Sequence, residues 1–123
     1  MLERYIEVDG KPVRVTDPKT WEEFMNEPDR RRVAATQLKC GDWVSTVFLG
    51  LDHNFAGKGP PILYETMWFG KVPDEDDDLG LTSPIGREKG QVRTATREAA
   101  EAAHWAMVVE AQKANGEFSN GSD

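Results

Sequence analysis

The sequence predicts an α+β domain in which an antiparallel sheet of about four to six strands carries a short helix and a longer C-terminal helix on one face. Short segments of alternating apolar and polar residues, separated by turn residues, fill most of the first 70 positions. A long helical pattern follows them near the C-terminus. The predicted order is ββαβββ, one further short strand near Val92, and then α, which is typical of antiparallel sheets whose helices gather on one side.

The N-terminal segment predicts a β-hairpin followed by a short helix. The alternating residues of RYIEVDGKPVRV flank Asp9-Gly10, a pair suited to a tight turn that needs positive φ values. Asp17 followed by Pro18 is a helix-start signal, and the helix is expected to end near Pro28. Three apolar side chains share one face of this helix: Trp21, Phe24 and Met25.

The middle of the chain predicts three consecutive strands. Residues 32–38 and 42–51 are rich in β-branched and alternating residues, and the turn KCGD joins them as a second hairpin. A loop with glycines and two adjacent prolines then precedes a strand over 62–70, which should lie beside its predecessor. Both faces of this last strand are apolar, so it is either central or covered on one side by a partner chain.

An acidic segment and a terminal tail are expected to lie outside the regular structure. Residues 71–90 are rich in proline, glycine and acid, with DEDDD at 74–78, and such a segment has little apolar surface to offset the entropy of ordering. A single domain is therefore predicted over 1–116, with a mobile loop at about 71–90. Residues 117–123 are predicted to form a disordered tail.

The long helix has clear start and stop signals. Thr96 is the predicted N-cap, and Gly116 is the predicted stop. A narrow stripe of mostly small residues would let this helix lie close to the sheet: Ala100, Ala103, Met107, Ala111 and Ala114.

Composition and charge exclude several classes of function. The net charge of -7 argues against nonspecific nucleic-acid binding, although residues 74–78 contribute five of the negative charges and the rest of the chain leaves room for a local basic patch. The single cysteine, Cys40, excludes an intrachain disulfide and a cysteine-based zinc site. No apolar run approaches the ~20 residues of a membrane span, and MLERYIEVDG lacks the features of a signal peptide. We expect a cytoplasmic protein with no membrane contact and no cofactor.

Asp52, His53 and Asn54 interrupt two apolar runs, and the carboxylate of Glu65 follows in the next strand. Carboxylates and an imidazole can bind one divalent ion, so one interpretation is a metal or acid-base site of Asp52, His53 and Glu65. The other interpretation is structural, with Asp52 and Asn54 organising a loop and Glu65 paired with an arginine on a covered sheet face. Both interpretations remain open, because the side chains of Asp52 and His53 face one site only if the strand ends before them.

A phosphate site is a further hypothesis at the start of the final helix. Arg93 and Arg97 flank Thr96 where unpaired backbone N–H groups favour an anion, although ordinary capping and ion pairing explain the same residues. Tyr64 and Trp68 share one face of the preceding strand, and Glu65, Met67 and Phe69 share the other. If exposed, Tyr64 and Trp68 would stack a nucleobase or form a subunit interface, and if covered they belong to the core.

Three segments carry a resemblance to a known family: RRVAAT at 31–36, WVSTVFLGLDHNF and GPPILYETMWFG. They resemble a family of small uncharacterised proteins encoded by bacteriophages and prophages. The resemblance covers about residues 30–70, with a weaker likeness in the alanine-rich helix that contains His104. It implies an origin and assigns no activity to any residue.

The expected function is that of a non-catalytic phage accessory protein, with counter-defence among its roles. It is expected to bind a host protein or a small anionic, nucleotide-like ligand. A homo-oligomer is expected, because both faces of the strand over 62–70 are apolar. The sequence contains no Walker loop, GxSxG elbow, GxGxxG or Cys–His pairing. Two alternatives remain: a small metal-assisted hydrolase using Asp52, His53 and Glu65, and a structural, virion-associated or acidic decoy protein.

Overall fold

The structure, a computed structural model, describes residues 3–71 and 87–116. Within them the chain forms an antiparallel hairpin, a four-stranded antiparallel sheet and three helices, which confirms the predicted α+β class. The acidic run at 74–78 and the predicted tail lie outside the described residues. The elements are β1 (Arg4–Val8), β2 (Lys11–Val15), α1 (Pro18–Met25), α2 (Pro28–Arg31), β3 (Arg32–Gln37), β4 (Trp43–Phe48), β5 (Tyr64–Phe69), β6 (Glu88–Thr94) and α3 (Arg97–Ala114).

The N-terminal hairpin turns at the predicted position. Asp9 and Gly10 both have positive φ, 53° and 79°, as a two-residue hairpin turn requires, and Val8 pairs with Lys11 across it. The hairpin is a separate two-stranded sheet that is hydrogen-bonded to the segment just after β4. The Tyr5 amide donates to the Gly50 carbonyl at 2.8 Å.

Helix α1 closes one end of the core. The Asp17 carboxylate caps its first turn, and Pro18 occupies the first helical position, as predicted. The Phe24 ring is buried edge-on against Phe48 of β4, with 5.7 Å between ring centroids. The helix ends at Met25, and the four-residue helix α2, which the sequence pattern did not predict, precedes β3.

The larger sheet has the order β3-β4-β5-β6, so β4 and β5 are central. The predicted adjacency of these two strands is confirmed, with Val47 opposite Glu65. Strand β6 is the short strand expected near Val92, but it begins at Glu88, within the range predicted as a mobile loop. Its backbone pairs with β5, and this pairing gives an otherwise polar segment its strand conformation.

Helix α3 crosses one face of the sheet, which we call the inner face. Thr96 Oγ1 accepts a hydrogen bond from the Ala99 amide at 3.0 Å, and Gly116 follows the last turn with φ of 70°, so both predicted boundaries are confirmed. The buried residues are Ala100, His104, Met107, Val108 and Ala111, whereas Ala114 of the predicted stripe is exposed. None of the described helices has the length and apolarity needed to cross a membrane.

Every described element that contributes to the core from outside the four-stranded sheet packs on the inner face of that sheet. One core cluster joins the sheet to the second half of α3: Leu38, Val44, Trp68, Met107, Val108 and Ala111. The other joins it to α1, to the hairpin and to the start of α3: Phe24, Phe48, Leu63, Tyr64 and Ala100. The expectation of helices on one face is therefore confirmed, and the opposite face contributes no residue to either cluster.

Candidate functional site

The second face of the sheet is the candidate site, and we call it the open face. Strand alternation and the cross-strand register place side chains of all four strands on it: Arg32, Ala35, Gln37, Trp43, Ser45, Val47, Glu65, Met67, Phe69, Gln91 and Arg93. Those from the central strands β4 and β5 are partly exposed, and those from the edge strands β3 and β6 are exposed. The central strands of a sheet therefore present an apolar surface that the described elements leave uncovered.

One end of the open face is aromatic. Trp43 and Phe69 face each other across β4 and β5, with ring centroids 5.5 Å apart and an interplanar angle of 30°. Met67 lies one pair further along, opposite Ser45. Aromatic residues and methionine are enriched at the centres of protein–protein interfaces, because they bury a large area with few rotatable bonds.

The other end of the open face is charged but locally neutral. Glu65 Oε2 accepts hydrogen bonds from Arg93 Nε at 3.0 Å and from the Gln91 amide. The Glu65 side chain is 16% exposed and that of Arg93 is 41% exposed. The arginine that Glu65 was predicted to need is therefore Arg93, and the pair forms a polar margin beside the apolar residues.

A buried polar network lies on the inner face beneath α3. His104 Nδ1 lies 2.8 Å from Thr46 Oγ1, which is 2.8 Å from Thr66 Oγ1, and His104 Nε2 lies 2.9 Å from Thr36 Oγ1. His104, Thr46 and Thr66 have no solvent exposure, and burial lowers the pKa of His104. A hydroxyl beside an imidazole can act in catalysis, but a substrate cannot reach the fully buried groups here. The network ties α3 to three strands.

A second buried cluster surrounds Asp42, which is 3% exposed. Its carboxylate accepts hydrogen bonds from Trp68 Nε1 (3.0 Å), the Lys71 amide (2.8 Å), Asn115 Nδ2 (3.0 Å) and Lys89 Nζ (3.3 Å). Burial opposes ionisation of Asp42, but these donors outweigh it and lower the pKa to about 2. Asp42 therefore joins β4 to β6 and to the end of α3.

The residues predicted for an anionic ligand do not form one site. Tyr64 and Trp68 are buried on the inner face, whereas Arg93 lies on the open face. Arg97 binds both carboxylate oxygens of Glu7 at 3.0 and 3.2 Å. Burial and a hydrogen bond to Glu7 raise the pKa of Tyr64. Thr96 caps α3. Each of these side chains has an internal structural partner.

The residues of the metal alternative, Asp52, His53 and Glu65, are also held by separate structural hydrogen bonds. Asp52 Oδ1 accepts the amides of Asn54 at 2.8 Å and Ile62 at 3.0 Å, and His53 Nδ1 donates to the Leu51 carbonyl at 2.8 Å. These contacts match the loop-organising interpretation. In residues 3–71 and 87–116 no three His, Cys, Asp or Glu side chains are grouped to hold a metal ion.

Alternation along β5 predicts that Glu65, Met67 and Phe69 share a face, but the place of Trp43 and Val47 on the same surface was not predicted. The alternation of β4 contains that signal, since Trp43, Ser45 and Val47 are all odd-numbered positions of one strand. Which side α3 covers follows from tertiary packing and has no local signature.

Comparisons with protein-family models, with curated proteins and with solved structures found no match.

Proposed function

We propose that this chain is a non-catalytic binding protein of the cytoplasm that docks a host protein on the open face of its sheet. A bacteriophage origin, which the resemblance implies, makes a component of the host cell the expected partner. The observation that carries the proposal is the apolar, aromatic and locally neutral surface over β4 and β5. A central sheet surface of this kind is a common protein-binding surface.

Charge and shape favour a protein partner over a small anionic ligand. The two arginines that the described strands place on the open face are both paired, Arg93 with Glu65 at 3.0 Å and Arg32 with Asp29 at 2.8 Å. Neither arginine is therefore free to bind a phosphate. Small ligands also prefer concave sites, whereas a sheet face is broad and shallow. The partner is therefore expected to contribute apolar side chains to Trp43, Met67 and Phe69, with polar groups at the margin.

A matched pair of valine substitutions tests this proposal. Val47→Lys places a charge on the open face, and Val13→Lys places the same charge on an exposed position of β2. Tagged wild-type and variant proteins would be used to capture partners from a bacterial host lysate, and each captured partner would then be purified and titrated by calorimetry. Val47→Lys should weaken binding of the partner by about 30-fold or more, and Val13→Lys should leave it unchanged.

Two results would contradict the proposal. A purified partner that binds wild type and Val47→Lys equally well uses another surface. Equal loss of binding in both variants would show a nonspecific effect of added charge. Thermal unfolding of each variant controls for folding, because a lysine on a partly exposed strand position should be tolerated.

A further inference from the structure

The solvent-facing side of α3 has an apolar stripe between two opposite charges. Trp105 is 56% exposed and Val109 is 40% exposed, while Ala102 and Ala106 are exposed beside them. Glu98 lies in the first turn and Lys113 in the last. Spacings of three and four residues place all six positions on the side opposite the buried face. We call them the α3 stripe.

The α3 stripe is complementary to itself when the helix direction is reversed. In an antiparallel pair centred between positions 105 and 106, Glu98 lies level with the partner's Lys113. Ala102 then lies level with the partner's Val109, and the two Trp105 side chains meet near the two-fold axis. Small residues thus stand opposite larger ones, and opposite charges meet at both ends of the pair.

We propose that a second copy of this chain docks on the α3 stripe, forming an antiparallel, two-fold symmetric dimer. Charge selects this orientation, because a parallel pair would place Glu98 beside Glu98 and Lys113 beside Lys113. Among the described residues, neither Glu98 nor Lys113 has an ion-pair partner within its own chain. The neighbouring acid Glu101 is held by Arg97 at 3.2 Å.

This surface is separate from the open face, so the dimer does not rest on the proposed function. A dimer joined through α3 leaves both open faces accessible. One helix per copy makes an interface at the small end of specific interfaces, so dissociation constants in the micromolar range, about 1–100 μM, are expected.

A charge-exchange experiment with the full chain tests the dimer. Glu98→Lys gives a copy with lysine at both ends of the stripe, and Lys113→Glu gives a copy with glutamate at both ends. Each variant alone should dimerise at least about fivefold more weakly than wild type in sedimentation equilibrium, because like charges then meet at both ends. An equimolar mixture should recover the wild-type affinity to within about twofold, since both ends are again complementary.

Failure of the mixture to recover would overturn the proposed dimer, as would a wild-type protein that stays monomeric up to about 1 mM. Trp105→Glu should abolish dimerisation with an unchanged melting temperature, and Val47→Lys should leave it intact. If Val47→Lys abolishes the dimer while Trp105→Glu does not, the second copy occupies the open face and the α3 assignment is wrong. Loss of host-protein binding in Val47→Lys with an intact dimer supports the two surfaces separately.

Discussion

Two buried polar residues on the inner face are stabilised in different charge states, Asp42 as the anion and His104 in the neutral form. Asp42 is buried as an anion because four donors converge on its carboxylate. His104 is buried among threonine hydroxyls, with burial as the cause that lowers its pKa. Ionisation of Asp42 therefore stabilises the fold, whereas protonation of His104 destabilises it.

Replacing Asp42 with Asn should lower the free energy of unfolding by about 3 kcal/mol at pH 7, because buried donors lose a charged acceptor. The folded pKa, about 2, lies below the unfolded value of about 3.9. The stabilisation from ionised Asp42 is thus complete above the unfolded pKa and is lost as the pH falls towards the folded one.

Urea unfolding of wild type and Asp42→Asn at pH 7, 5, 4 and 3 measures this difference. It should be constant from pH 7 to 5 and should narrow below about pH 4. Asp29→Asn is the control, because the Asp29 side chain is 89% exposed and its pair with Arg32 should contribute less than about 1 kcal/mol. A cost for Asp42→Asn no greater than that of the control would contradict the role assigned to Asp42.

His104 should make the stability of the protein fall in mild acid. Its folded pKa is lower than its unfolded value of about 6.5, so the unfolded chain binds the proton first. The contribution of neutral His104 to the free energy of unfolding is then fully present above the unfolded pKa. It decreases as the pH falls from there towards the folded pKa. Unfolding free energies measured between pH 8 and 5 should show a weaker pH dependence in His104→Leu than in wild type. Parallel curves for the two proteins would show that His104 is not responsible.

At the scale of elements, the sequence correctly predicted the hairpin turn and the helix ends, because these depend on a few neighbouring residues. The Asp9-Gly10 turn, the Asp17 and Thr96 caps and the Gly116 stop are all present. Helix α2 has only four residues, which is too short for a periodic pattern. Strand β6 is polar along most of its length, so its extent depends on pairing with β5 rather than on its own side chains.

The candidate site was less predictable than the elements that form it. Alternation along β5 correctly separated Tyr64 and Trp68 from Glu65 and Met67. It left open which of these two sets α3 covers. The burial of His104 was not predicted for a similar reason. Small and apolar residues occur on all sides of α3, so its sequence does not indicate which side is buried.

Gly50 joins α1 to the end of β4, and its substitution tests that junction. Its φ is 78°, and a Cβ there would collide with the Met25 side chain and approach Trp21 Nε1. Gly50→Ala should lower the free energy of unfolding by about 2 kcal/mol, because backbone strain adds to the displacement of the Met25 thioether and to the close approach of Trp21.

The matched control for Gly50 is Gly57, whose φ is 75° but whose Cβ would contact nothing within 4 Å. Gly57→Ala should cost only about 1 kcal/mol, because strain acts there without a collision. Denaturant unfolding of both variants separates the two effects. Equal losses in the two variants would show that close packing at Gly50 contributes nothing.

At the scale of the whole molecule, formal charge is unevenly distributed along the chain. All 15 lysine and arginine residues lie in the described part, whereas seven of the 22 acidic residues lie outside it, at 74–78, Glu117 and Asp123. The described part is therefore formally neutral, and the net charge of -7 comes from the remaining segments. A neutral domain is compatible with association through apolar surfaces, both on the open face and on the α3 stripe.

The most direct test of the open face uses the methyl groups of methionine as reporters. Met67 lies on the open face, while Met107 is a buried residue of α3 on the inner face and Met25 of α1 lies beside the core. Protein labelled at the methionine methyl groups would be titrated with the purified host partner and followed by NMR. The proposed function predicts a shift of the Met67 signal with the signals of Met25 and Met107 unmoved. A partner that binds without shifting Met67 would contradict it.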